Sequence, residues 1–203
     1  MNAPILPTKA SPTSEQTTVP RSITLMFDRQ APLAELYSRD PKQAWVTDAA
    51  CTSSDHVPVQ DPLHGHVTAG GNEIPIALHK AVGGDGDGPV PGDILCAALS
   101  TCFDSCIRVI ANRLGIQLEK LAVTTTAEVD VRGTLCLDSA VPVGFQKMHV
   151  SVDLVAAPDT DANLLQALLQ TSEACCVVMQ TLRSTPDVTT QFNTQFGKTK
   201  NGV

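Results

Sequence analysis

Seven cysteines are the residues of this 203-residue chain best equipped for chemistry, and their placement is uneven. Cys96, Cys102 and Cys106 fall in or just after an uncharged run from Ile94 to Phe103, and Cys175 and Cys176 are adjacent. A thiolate is a nucleophile, a metal ligand and a two-electron reductant, whereas a thiol packed in an apolar interior is a small hydrophobe. An odd number of cysteines in a chain of this length, with no recognisable secretion signal, argues for free thiols over a disulfide framework. Cys106 lies one helical turn after Cys102 and faces the same way, as an alternative thiol partner or as packing, while Cys96 and Cys136 read as packing residues. A zinc site from Cys102, Cys106 and Cys176 with a histidine is conceivable, but the chain has no Cys-x-x-Cys pair, so no metal is expected. The five histidines are scattered, and His149 faces outward on its strand.

The element that must position these thiols is a helix. After Pro91-Gly92-Asp93 the uncharged run continues through Ile107, Val109, Ile110, Ala111 and Leu114 and stops at Gly115. Roughly twenty residues at about 1.5 Å each make a rod some 30 Å long, so the pattern predicts a central helix buried on nearly all sides. Asp93 falls in its first turn, where a carboxylate meets exposed N–H groups, and Asp104 and Arg108 are spaced to pair. Downstream the period changes from helical to two. Leu121, Val123, Thr125, Ala127, Val129 and Val131 share one face, and Met148, Val150, Val152, Leu154 and Ala156 share another. The two strands should pair antiparallel with the helix on their apolar face. Pro158-Asp159-Thr160-Asp161 then starts a helix with Leu164, Leu165, Leu168, Leu169, Ser172 and Cys176 as its core stripe, and residues 176–182 add one or two further turns.

Upstream, residues 1–20 are Pro-, Ser- and Thr-rich and read as a disordered tail. Residues 21–60 form an N-terminal extension with a short strand at 21–27 and a short helix at 32–37, whose Pro32 lies in the first turn. A hairpin follows, its strands joined at Ala69-Gly70-Gly71-Asn72, with Pro75 marking an edge strand or a bulge. The Gly- and Asp-rich segment 83–89 has neither a Gly-Lys-Ser/Thr ending nor the acidic spacing of a calcium loop and reads as a flexible connection. Residues 188–192 resemble a closing strand, and residues 193–203 a polar tail. A net charge of -7 with 14 Lys+Arg, not clustered, gives no basic surface for nucleic acid or an anionic membrane. No unbroken stretch reaches the eighteen or so apolar residues of a membrane span, and the expected location is cytoplasmic.

Pro91-x-Asp93-Ile94-Leu95-x-Ala97-Ala98-Leu99-x-x-Cys102 resembles the Pro-x-Glu-Leu-Leu-x-Ala-Ala-Leu-x-x-Cys signature of the OsmC/Ohr superfamily, the osmotically inducible and organic hydroperoxide resistance proteins. The segment Ser172 to Leu182 is similar to that superfamily's second signature, a glutamate followed three residues on by Cys-Pro-Val. Gly115-Ile116, the two long strands and Gly144-Phe145 fall between them in the matching order. The resemblance implies an α+β fold, with a long buried central helix packed on antiparallel sheets, over residues 61–192. It also implies an intertwined homodimer with active sites at the subunit interface. By position, Cys102 corresponds to the peroxidatic cysteine and Cys176 to the resolving one, with Asp93, Cys106 and Cys175 as possible supporting residues. The implied reaction is thiol-dependent reduction of organic hydroperoxides, through a Cys102 sulfenic acid and a Cys102–Cys176 disulfide that an external dithiol resets, without a cofactor. The alternative is a non-catalytic dimer of the same fold that binds a small apolar ligand at the subunit interface. The hydroperoxidase members activate their cysteine with an arginine and a glutamate. Gly92 occupies the glutamate's place, no arginine lies between Ala49 and His66, and Arg39, Arg108, His64 and His66 are the candidate substitute cations.

Overall fold

A computed structural model describes residues 25–196, and the expected disordered tail lies outside them. The long helix α2 runs Pro91–Leu114 and organises the rest. Pro91 opens it at a position where its missing N–H costs nothing. Asp93 accepts the Val90 N–H at 3.0 Å. The helix stops at Gly115, whose φ of 72° suits a residue without a Cβ, and the Ile116 N–H returns to the Ala111 carbonyl at 2.9 Å.

Strands β4 (Leu118–Glu128) and β5 (Lys147–Ala156) form an antiparallel ladder with Val123 opposite Val152 and Thr125 opposite Val150. Their residues alternate between half-buried and exposed, and the half-buried set faces α2. Thr125 is the polar member of that apolar row. Its hydroxyl accepts a hydrogen bond from Ser100 Oγ of α2 at 2.8 Å, which removes the cost of covering it. The predicted strand reached Val131, but Val129 and Val131 lie past the ladder. The chain there enters a series of turns in which Asp130 accepts from the Arg132 backbone and guanidinium.

Helix α3 spans Ala162–Cys175 and is capped as expected, the Asp161 carboxylate accepting the Asn163 and Leu164 N–H groups at 2.8 and 3.0 Å. Helix α4 (Val177–Arg183) follows after one extended residue, Cys176. Helices α3 and α4 pack on α2 and bury Leu168, Ser172, Cys176 and Met179 against its Leu99, Phe103, Ile107 and Ile110.

The first sheet is three-stranded, in the order β1 (Ala50–Thr52), β2 (His64–Ala69), β3 (Asn72–Ala77), all antiparallel. Strands β2 and β3 are the predicted hairpin, and Pro75 does lie on an edge strand. The loop after β3 is pinned, contrary to the flexible connection expected of it. The Ala77 N–H bonds to the Pro89 carbonyl at 2.9 Å, and His64 bridges Asp61 at 2.9 Å and Asp87 at 3.1 Å. A Cβ on Gly84 would lie 1.9 Å from the Leu78 carbonyl oxygen, so only glycine lets the two backbones approach this closely.

Several expectations are corrected. Helix α1 runs Met26–Arg39, so Met26 and Phe27 open a helix where a strand was expected, and Pro32 sits inside it. Residues 21–24 of that expected strand lie outside the described residues. Asn112 explains the early start, because its side-chain oxygen accepts the Met26 N–H at 2.7 Å and anchors a turn that local propensity would not form. Residues 188–192 form no strand. Val188 and Phe192 are 84% and 83% exposed, and no strand among the described residues lies alongside to pair with them.

Helix α2 is not buried on nearly all sides within one chain. Ala97, Ala98, Thr101, Ser105 and Arg108 are exposed, because β4, α3, α4 and α1 cover only part of its circumference. By length and composition α2 is also long and apolar enough to cross a membrane, although charged residues interrupt its apolar run. Its buried residues instead form the core on which α3, α4 and β4 pack.

Cys136 is exposed rather than packed, and it is the single non-glycine described residue with a left-handed φ, 55°. We expect Cys136→Gly to raise stability by about 0.5–1 kcal/mol, once glycine's larger unfolded-state entropy is subtracted from the relieved strain. Thermal or denaturant unfolding of the reduced protein checks this.

Candidate active site

The fold brings three of the seven thiols together. Cys102 and Cys106 project from successive turns of α2, and Cys176 sits at the joint between α3 and α4. Their sulfur atoms all lie within 4.8 Å of one another. Cys102 and Cys106 are half-buried, while Cys176 is shut off from solvent. The joint that presents Cys176 is braced from both sides: Arg183 bonds Glu173 at 2.6 Å, and the Gln180 amide donates to the Glu173 carbonyl at 2.9 Å. These contacts close α4 back on α3 although Val177 stands where the second signature has proline.

A cleft of about 310 Å³ opens over the cluster, with Cys102, Cys106 and Cys175 in its wall beside Val109 and Ile110. Gln30 of α1 and Arg113 of α2 complete it. The Arg113 guanidinium donates to Gln30 Oε1 at 3.3 Å and has no carboxylate partner among the described residues. A small apolar molecule entering here meets Cys102 directly, whereas Cys176 lies behind it.

Electrostatics separates the three thiols. Burial, reinforced by the neighbouring Cys102 and Cys176, pushes the Cys106 thiol up to about 12. Burial also raises Cys176 above the usual thiol range, and the Val178 and Met179 N–H groups only partly offset this. Both groups are therefore protonated near neutral pH. Cys102, the remaining member of the cluster, lines the cleft, whereas Cys176 does not.

The remaining candidates are placed differently. Cys175 is exposed and lines the cleft without joining the sulfur cluster. Asp93 caps the start of α2, nine residues and about 13 Å of helix rise from Cys102. It acts there on Cys96, whose pKa is raised first by burial and then by the Asp93 charge. Of the substitute cations considered, Arg108 is held by Asp104 at 2.6 Å, Arg39 pairs with Glu35, and His64 is clamped by two carboxylates. None of them, nor His66, lines the thiol cleft. Sequence reasoning missed Arg113. The signal was the spacing 102, 106, 109, 113, one continuous helix face.

Gly92 also has a structural reason. A Cβ there would come 3.0 Å from the Phe145 ring, so a glutamate cannot occupy this position unless Phe145 moves.

A family model described as OsmC-like protein matches residues 84–191, more than half of the chain. The chain belongs to the OsmC-like family. A search of curated proteins returns no match. Among solved structures, an OsmC-like protein from Mycoplasma pneumoniae aligns with a TM-score of 0.54 and 11% identity, over 69% of this chain and 89% of that one. An OsmC-like protein of unknown function from Vibrio cholerae aligns at 0.52 and 13% identity, over 68% and 94%. An organic hydroperoxide resistance protein from Legionella pneumophila aligns at 0.47 and 23%, over 68% and 90%. The OsmC-like α+β fold expected from the sequence is therefore the fold of this chain, with α2 as its central helix.

Proposed function

We propose that the protein reduces organic hydroperoxides at Cys102, with Cys176 as the resolving thiol. The observation that carries this reading is the pairing of an accessible thiol in an apolar cleft with a fully buried thiol directly behind it. Family membership supports the same direction, since solved members of this fold carry the name organic hydroperoxide resistance protein. The Cys102 thiolate attacks the terminal peroxide oxygen, the O–O bond breaks, and the alkoxide takes a proton to leave as an alcohol. Cys102 is then a sulfenic acid. The Cys176 sulfur attacks it, the S–O bond breaks, and water leaves as the Cys102–Cys176 disulfide forms. An external dithiol reduces that disulfide and is itself oxidised.

Arg113 lines the same cleft eleven residues, about 16 Å of helix rise, from Cys102, and in this scheme it meets the far end of the entering molecule rather than the reacting sulfur.

The alternative, a non-catalytic dimer that takes a small apolar ligand, uses the same fold but gives no role to a second sulfur against Cys102. In our reading two chains associate: the exposed Ala97, Ala98, Thr101 and Ser105 of α2, together with a first sheet that packs little on its own α2, support an intertwined homodimer. The test of function is steady-state oxidation of an added dithiol driven by an organic hydroperoxide. Turnover above the uncatalysed rate supports the enzyme. Stoichiometric ligand binding without turnover supports the alternative.

A further inference from the structure

Two histidines and a glutamate, dispersed in the sequence, converge on the first sheet. His56 comes from the β1–β2 loop, His66 from β2 and Glu73 from β3. In the ladder His66 is opposite Pro75 and Thr68 is opposite Glu73, so His66 and Glu73 are diagonal neighbours on one face. His56 reaches over that face. Its Nε2 lies 3.0 Å from Glu73 Oε1, and its ring centroid is 4.6 Å from that of His66. One ligand atom from each residue falls within 4.8 Å of the others. The Nδ1 atom of His66 is closed off from solvent and hydrogen-bonded to nothing among the described residues, which is costly for a ring nitrogen unless something else occupies it.

We propose that His56, His66 and Glu73 form a binding site for a divalent transition-metal ion of the zinc class, separate from the thiol cluster. Two imidazoles and a carboxylate are a borderline donor set that favours zinc, cobalt, nickel or iron(II) over calcium or magnesium. Ligand bonds of about 2.0–2.1 Å in a tetrahedral site put donor atoms roughly 3.3 Å apart, so the His56–Glu73 separation already fits. Closing the rest needs movement of at most about 1.5 Å, which the loop position of His56 and the exposed Glu73 side chain allow. Both exposed ligands also leave the ion a path from solvent. Three protein ligands leave a fourth position for water or an exchangeable ligand.

The experiment uses the reduced full-length chain, stripped with a chelator and titrated with cobalt(II), whose visible absorption reports its ligands. The expected result is one cobalt ion per chain, with d–d bands of a nitrogen–oxygen site and no thiolate charge-transfer band. His56→Ala and Glu73→Gln should each weaken binding by more than the roughly 10–100-fold seen on losing an outer-sphere partner. Both residues are exposed, so the variants are expected to fold, with circular dichroism as the check. Cys106→Ser should leave this binding unchanged. The proposal is overturned if no cobalt binds at millimolar concentration, or if both variants bind as the wild type does. It is overturned equally if the bound cobalt carries a thiolate band that Cys106→Ser removes, which would place the ion in the thiol cluster.

Discussion

Cys102→Ser is expected to abolish hydroperoxide-driven dithiol oxidation, by on the order of 10³-fold or more, because a serine hydroxyl cannot accept oxygen from a peroxide and no other thiol lines the cleft with Cys176 as its partner for resolution. Cys106 is in the same cleft wall, but with its thiol pushed up to about 12 it is almost wholly protonated near pH 7. Cys176 is buried. Cys175 is exposed and lines the cleft, so a residual slow reaction in the variant would point to it. The substitution replaces sulfur by a smaller atom at a half-buried position, and unfolding curves should change little. Hydroperoxide consumption and free-thiol counts, taken together, check the prediction. A variant that turns over at the wild-type rate would remove Cys102 from the mechanism.

Cys176→Ser has the next largest effect, and it should divide the reaction in two. The first step needs only Cys102 and the cleft, so a single equivalent of hydroperoxide should still be consumed. The product should be a stable Cys102 sulfenic acid, trapped by dimedone. Turnover with dithiol should fall on the order of 10²-fold, and excess peroxide should carry Cys102 on to sulfinic acid. The third thiol makes this a stringent test. Cys106 lies within the same 4.8 Å and has the geometry to resolve the sulfenic acid itself, but its buried thiol lacks the Val178 and Met179 N–H groups that partly offset burial at Cys176, so it should react more slowly. A Cys102–Cys106 disulfide formed at the wild-type rate would show that proximity outweighs protonation in this cluster.

Much of this fold was legible because its elements carry single, uninterrupted periods. The uncharged run after Asp93, the strict alternation along β4 and β5, and the Asp161 cap each named an element within a few residues. Signals that depend on tertiary contact were not legible. Helix α1 begins at Met26 because Asn112, 86 residues away, accepts its N–H, and nothing local announces this. Residues 188–192 alternate like a strand but have no partner to pair with among the described residues. At the candidate site, the types and spacing of Cys102 and Cys176 were readable through the family signature. Arg113 was hidden because a lone arginine at a helix end normally serves only the helix dipole. The convergence of His56, His66 and Glu73 was hidden because it depends on strand register. Gly92, read as the loss of an activating glutamate, gained a positive reason only from the Phe145 ring packed against it.

The most direct test of the account is the covalent state of the reduced protein after one equivalent of organic hydroperoxide, read by intact mass and peptide mapping under thiol-blocking conditions. The account predicts the loss of two hydrogens per chain and a single new cross-link between the peptides carrying Cys102 and Cys176, reversed by dithiol. Unchanged mass with all seven thiols still free in the folded protein, or a cross-link that excludes Cys102, would contradict it.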